Sequence, residues 1–266
     1  MKNSPIGIFD SGIGGLTVAN AIKKVLPNES IIYFGDTQHL PYGEKSKKAI
    51  QNFSEKIIAF LVSKKCKIII IACNSASSVT KYNINRKGKN TPIFNVIDPV
   101  VIEVSKNCSK DCIGVIGTKA TISSGIYKKR IAELCGNKKI NSLATPLFAP
   151  MIEEGFINED ISSTIIANYL SNKKLENIKH LILACTHYPL IQEKINDYYK
   201  GRVNVIDSAN IVAKYIAKYL KNENLLNHNI SNQHYFYVSN YTKSFEKSAK
   251  FFFKETIKLE EINLFN

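Results

Sequence analysis

Ile70-Ile71-Ala72-Cys73-Asn74-Ser75 and Ile182-Leu183-Ala184-Cys185-Thr186-His187 are two versions of one pattern: an apolar run, a thiol, then small polar side chains. An uninterrupted apolar run this short reads as a strand buried on both faces of a parallel sheet. Each version follows a second strand-and-turn unit. Residues 6–9 run into Asp10-Ser11-Gly12, and residues 113–116 run into Gly117-Thr118-Lys119-Ala120-Thr121. From Asp10 to Cys73 is 63 residues, and from Gly117 to Cys185 is 68. The chain therefore holds two similar α/β halves, each ending a strand in a cysteine at the carboxyl edge of a sheet, where open α/β sheets bind ligands.

Working outward, short apolar runs alternate with longer amphipathic stretches, the signature of βα units around mostly parallel sheets. Strands are expected at 6–9, 31–34, 68–72 and 93–97 in the first half, and at 113–116, 181–184 and 203–206 in the second. Ile50, Phe53, Ile57 and Leu61 share one helical face, as do Ile161, Ile165 and Tyr169, and Ile211, Tyr215 and Tyr219. The polar, Asn-rich stretch 221–233 reads as a surface loop before a last strand at 235–238 and a last helix.

Composition narrows the class. The 266 residues are 44% apolar and 10% aromatic, which suits a globular protein of one large or two moderate domains. No continuous apolar run exceeds the length of 68–73, far too short to cross a bilayer, so a soluble, cytoplasmic protein without membrane partners is expected. The net charge of +14 comes from 33 lysines and only three arginines, spread along the chain rather than gathered in one arm. That distribution reads as solvated basic faces and not as a specific nucleic-acid reader, because lysine lacks the planar fork that pairs with base edges. Cys108 and Cys112 have no second ligand pair at comparable spacing, so no metal site is expected.

A single cysteine at the end of an apolar strand is most simply a small buried hydrophobe. Here the arrangement occurs twice, followed each time by polar residues and a helix start. Pro189 sits where a first-turn proline belongs, with Leu190, Ile191 and Ile195 continuing an apolar face. Helix starts favour a thiolate or a bound carboxylate. A free thiol, with a pKa of about 8.5, needs such help near neutral pH. Asp10 and His187 are the candidate proton partners of the thiols. The plainer alternatives are a turn-forming Asp10 and a helix-capping His187. Two acid–base groups facing one carbon from opposite sides could remove a proton from one face and deliver one to the other, inverting a stereocentre without a cofactor.

Taken in order, Ile8-Phe9-Asp10-Ser11-Gly12-Ile13-Gly14-Gly15-Leu16-Thr17, Tyr33-Phe34-Gly35-Asp36-Thr37, Leu40-Pro41-Tyr42-Gly43, Ala72-Cys73-Asn74-Ser75-Ala76-Ser77, Gly117-Thr118-Lys119-Ala120-Thr121 and Ala184-Cys185-Thr186-His187-Tyr188-Pro189-Leu190 resemble the motifs of the glutamate racemases. The resemblance covers residue 5 to about residue 212 well and the tail loosely. It implies two pseudo-symmetric α/β domains, expected as 1–98 plus 208–266 and 99–207, with the substrate in the cleft between them. It implies interconversion of L- and D-glutamate for peptidoglycan synthesis without a cofactor, by an enzyme expected to be a homodimer. Cys73 would take the proton from D-glutamate and Cys185 from L-glutamate. Asp10, Ser11, Tyr42, Gly43, Asn74, Ser75, Thr186 and His187 would line the substrate site, with Thr118 and Thr121 as nearby hydroxyls and Glu153 close to His187. Ser75 stands where the family more often has threonine, and serine keeps the hydroxyl. Residues 234–241 lack the glycine and acidic residue that the resemblance leads one to expect there.

Other readings stay open at this level. Gly12-Ile13-Gly14-Gly15 after a strand, with Asp36 21 residues beyond Gly15, approaches a dinucleotide-binding fingerprint, although its third glycine would fall at Thr17. An aspartate racemase differs by one methylene of substrate. A non-catalytic polyanion-binding protein would explain the charge and leave both cysteine motifs unused.

Overall fold

The computed structural model describes residues 2–80, 91–107, 112–136, 138–229 and 233–265. Its strands are β1 (Ile6–Asp10), β2 (Ile31–Gly35), β3 (Ile68–Ile71), β4 (Ile93–Asn95), β5 (Ile113–Gly117), β6 (Ile140–Ala144), β7 (His180–Ala184), β8 (Asn204–Ile206), β9 (His234–Val238) and β10 (Leu259–Glu261). They form two sheets, ordered β10-β9-β2-β1-β3-β4 and β6-β5-β7-β8. Every recorded pairing is parallel. The four isoleucines of β3 and nearly all of β1, β2, β5 and β7 are buried, as central strands of parallel sheets must be when helices cover both faces.

The strand order locates the site before any side chain is considered. From β1 the chain crosses to β2 on one side, then returns to form β3 on the other. β5, β6 and β7 repeat the move in the second sheet. The order reverses between β1 and β3, and again between β5 and β7, and such switch points leave a crevice at the carboxyl ends of the strands. Asp10 ends β1 and Cys73 follows β3; Gly117 ends β5 and Cys185 follows β7.

Several elements differ from the sequence reading. The strand expected over 93–97 stops at Asn95, because the Asn95 side-chain oxygen accepts the N–H groups of Ile97 and Asp98 and starts the helix Ile97–Asn107. β6 and β10 were not expected: β6 is a half-buried edge strand with Asn and Ser in it, and β10 has only Leu259 buried. In the helix Asp160–Leu170 the buried stripe is Ser162, Ile166 and Leu170, one position away from the stripe expected, and Ile161 is exposed. Ser162 can face inward because its hydroxyl donates to the carbonyls of Ile157 and Glu159. The helix Ser208–Asn222 likewise buries Val212, Ile216 and Leu220, while Tyr215 and Tyr219 lie on its flank against Phe94. That helix takes in the first two residues of the loop expected over 221–233, of which 230–232 lie outside the described residues, as does Cys108. Among the described residues no helix is long and apolar enough to cross a membrane.

At the amino ends of the first sheet's strands, Lys67 and Glu29 form a fully buried ion pair at 2.5 Å. The Lys67 ammonium also donates to the carbonyls of Lys2 and Leu225, and the Glu29 carboxylate accepts the Asn227 N–H. Four distant parts of the chain meet on this pair. Breaking one partner of such a pair leaves an uncompensated buried charge, at a cost of about 3–5 kcal/mol. Lys67→Met should therefore lower the urea midpoint by an amount equivalent to that loss, and Lys67→Met combined with Glu29→Leu should recover most of it. An unchanged midpoint in the single variant would show that the pair does not support the fold.

Candidate active site

The glycine turn after β1 is held from several directions. Asp10 is fully buried, and its carboxylate accepts the Gly12 N–H at 3.1 Å. Burial raises its pKa, an effect that His187 opposes. The Tyr33 hydroxyl donates to the Gly12 carbonyl, and the Thr17 hydroxyl reaches across to the Thr186 carbonyl at 2.9 Å, joining the turn to the loop after β7. Two glycines here are required by close approach. A Cβ on Gly15 would collide with Asp10, and one on Gly14 would collide with the His187 ring and the Thr186 hydroxyl.

Cys73 ends the first thiol motif as the N-cap of the short helix Asn74–Val79, its sulfur accepting the Ala76 N–H at 3.4 Å. The sulfur lies 3.5 Å from the Ser11 hydroxyl oxygen, within hydrogen-bond range. The helix start was expected to favour the thiolate, and the balance falls the other way. Burial, reinforced by the Asp10 carboxylate, pushes the thiol pKa up to about 12 against those two hydrogen bonds.

Cys185 is built differently. It does not open a helix: Thr186 and His187 separate it from a 3-10 turn, Tyr188–Ile191, that leads into the helix Gln192–Tyr199. Pro189 does sit in that first turn. His187 stands at the cap position yet makes no side-chain capping bond, which removes the capping reading. Its ring instead bridges two acids: Nδ1 lies 3.6 Å from Cys185 Sγ, and Nε2 lies 2.7 Å from Glu153 Oε1. Burial alone would lower the His187 pKa, but the hydrogen bonds to Cys185 and Glu153 outweigh it and raise the imidazole well above its usual range. A buried imidazolium beside a sulfur favours the thiolate.

Both sulfurs open onto one cavity of about 230 Å³, smaller than the ~300–1,000 Å³ of pockets for drug-sized ligands and suited to a small metabolite. Of the residues singled out from sequence, Ser11, Tyr42, Gly43, Cys73, Asn74, Ser75, Thr118, Glu153, Cys185, Thr186 and His187 line it. Asp10 and Thr121 do not: Asp10 lies behind the two loops, within reach of the Thr186 hydroxyl, and Thr121 backs Thr118 at 3.1 Å. The Ser75 hydroxyl meets that of Thr118 at 2.9 Å, so polar groups of both halves join along one wall. Asn74 gives its oxygen to the Tyr127 hydroxyl, while its Nδ2, itself buried, meets no acceptor among the described residues.

Sequence reasoning missed the apolar part of the lining, Leu40, Pro41, Ala149 and Pro150, which carries no chemical signature. The rival dinucleotide reading would have made Asp36 a ribose-binding acid. That carboxylate accepts the Tyr42 hydroxyl at 2.6 Å and the Ser239 hydroxyl at 2.7 Å, and meets His39 at 2.8 Å. Asp36 is a buried anchor for the Tyr42 loop, not an exposed ribose-binding acid, and the glycines before it accommodate Asp10 and His187. This turn and Asp36 therefore offer no dinucleotide site among the described residues. Among the described residues no group of three His, Cys, Asp or Glu side chains is arranged to hold a metal ion.

Comparison with known proteins agrees with this geometry. A family model described as Asp/Glu/Hydantoin racemase matches residues 16–216. A glutamate racemase 3 of Caldanaerobacter subterraneus subsp. tengcongensis is 39% identical over 94% of this chain and 91% of its own. A glutamate racemase of Aquifex aeolicus is 41% identical over 82% of this chain and 84% of its own. The crystal structure of glutamate racemase from Francisella tularensis in complex with D-glutamate superimposes with a TM-score of 0.92 at 39% identity, covering 100% of this chain and 99% of that one. With a family match over most of its length and relatives of this closeness, the chain belongs to the Asp/Glu/Hydantoin racemase family.

Proposed function

We propose that the protein interconverts L- and D-glutamate by proton transfer at Cα between two thiols, supplying D-glutamate for peptidoglycan synthesis. The observation that carries this reading is the presence of Cys73 and Cys185 on one small cavity, reached from two different sheets and supplied with unlike proton partners. In the L-to-D direction Cys185, as the thiolate paired with the His187 imidazolium, takes the Cα proton. Cys73, held as the neutral thiol by burial and by Asp10, delivers its proton to the opposite face. The enzyme is left with the two protonation states exchanged, which is the form that accepts D-glutamate. Glu153 supports the imidazolium, and Asp10 is the proton partner on the Cys73 side. The unpaired Asn74 Nδ2 is a donor for a substrate carboxylate, since a buried donor without an acceptor costs about 1–3 kcal/mol until one arrives. The hydroxyls of Ser11, Ser75, Thr118 and Thr186 complete the polar lining, with Tyr42 and Gly43 closing the first-half side and Thr121 holding Thr118. A cytoplasmic homodimer, divided into domains 1–98 plus 208–266 and 99–207, completes the proposal.

Two measurements test it directly. Cys73→Ala and Cys185→Ala should each abolish racemisation, while Cys66→Ala, Cys112→Ala and Cys135→Ala keep it. In D₂O, early product from either enantiomer should carry deuterium at Cα while remaining substrate stays unlabelled. Protium in the early product would mean that a single base carries the proton across.

The unlike thiols should also be distinguishable chemically. Both are equally buried, so their reactivity reports protonation more than access. Near neutral pH, iodoacetamide should alkylate Cys185 before Cys73 in the free enzyme, read by peptide mass spectrometry. His187→Gln should slow alkylation of Cys185, leave Cys73 unaffected, and lower racemisation by roughly 10²- to 10⁴-fold, the usual worth of general acid–base assistance. Alkylation of Cys73 first would reverse the assignment.

Asn74→Ala should raise KM for glutamate more than it lowers kcat. A fall confined to kcat would remove Asn74 from substrate binding.

A further inference from the structure

Three polar contacts reach the His187 ring, Cys185 Sγ and the Thr186 hydroxyl at Nδ1 and Glu153 at Nε2, and all of them lie at the two nitrogens. Contacts at Nδ1 and Nε2 define an axis through the imidazole and leave the ring plane free to rotate about it. At 3.6 Å, the contact to Cys185 Sγ is long and sensitive to such rotation. Two further neighbours act on the ring. The Phe252 ring meets it edge-to-face at 5.2 Å between centroids and 83° between planes. Gly14 lies so close that a Cβ there would stand 2.5 Å from Nδ1.

We propose that Gly14 and Phe252 are positioning residues for His187, setting the plane and depth of its ring so that Nδ1 stays on Cys185. They come from opposite ends of the chain. Gly14 lies just before the helix Leu16–Val25, and Phe252 lies in the last turn of the helix Lys243–Phe253. The Lys23–Glu255 ion pair, at 2.6 Å, ties the end of the first helix to the chain just beyond the second. The C-terminal helix, where the family resemblance is loosest, thereby acts on the proton relay while contributing no polar atom to it. The inference rests on the proposed partnership of His187 with Cys185.

The neighbouring phenylalanine provides the control. Phe253 is as deeply buried in the same helix, but it packs on Phe236 at 4.9 Å and beneath the Lys23 ammonium. Phe252→Leu should lower kcat by roughly threefold to tenfold, the range carried by an edge-to-face aromatic contact, leave KM nearly unchanged, and slow Cys185 alkylation by a similar factor. Phe253→Leu should lower Tm comparably and leave kcat and Cys185 reactivity at wild-type values. Phe252→Tyr, which keeps the ring, should restore turnover. Gly14→Ala, which displaces the imidazole, should cost roughly 100-fold or more in kcat. Equal kcat losses in the two leucine variants, unchanged Cys185 reactivity in Phe252→Leu, or a Phe252→Tyr enzyme as slow as Phe252→Leu would overturn the inference. Those outcomes would leave the Cys185→Ala enzyme inactive, whereas an active Cys185→Ala enzyme would remove the underlying mechanism.

Discussion

A thiolate in a water-poor cavity needs a positive group at hydrogen-bond range, because desolvation otherwise returns it to the neutral thiol. Cys73 meets that fate: buried beside the Asp10 carboxylate, it is held as the thiol. Cys185 instead has the His187 imidazole 3.6 Å away, whose pKa is raised by its hydrogen bonds to Cys185 and Glu153. A racemase working with two thiols must begin each turnover with one base and one acid, and two identical residues differ only through what surrounds them. In the mechanism proposed, the unequal surroundings of Cys73 and Cys185 are what supplies that difference.

Much of the surrounding structure serves to bring those groups together. The glycine turn after β1 looks from its spacing like a phosphate-binding loop, yet its missing side chains make room for Asp10 at Gly15 and for His187 at Gly14. At the other rim a Cβ on Gly43 would stand 2.8 Å from Thr118 Cβ, so the Tyr42 loop of one half closes directly on the other. Asp36 holds that loop through the Tyr42 hydroxyl and is itself bound by Ser239 at the end of β9. The tail of the chain thus reaches the cavity by two routes, through Ser239 and through Phe252.

The sequence by itself determined the parallel α/β plan, the doubling of the chain and the two cysteines that line the cavity. Those features are local: an apolar run such as Ile68–Ile71 can only be a buried strand, and a thiol directly after it must lie at the strand's carboxyl end. What remained to the tertiary structure were properties set by neighbours far apart in the chain. Which face of the helix Asp160–Leu170 turns inward depended on carbonyls able to take the Ser162 hydroxyl, and apolar spacing alone misplaced it by one position. The helix start before Asn74 was outweighed by burial that no local pattern records. Asp36 sits at the spacing of a ribose-binding acid, and only its contacts with Tyr42, His39 and Ser239 make it an anchor. Phe252 is one apolar residue among several in an amphipathic helix, and its contact with His187 exists only because helices from the two ends of the chain pack side by side. Chemical identity is written residue by residue, whereas charge state, ring orientation and the choice between anchor and ligand follow from through-space packing, which the fold alone supplies.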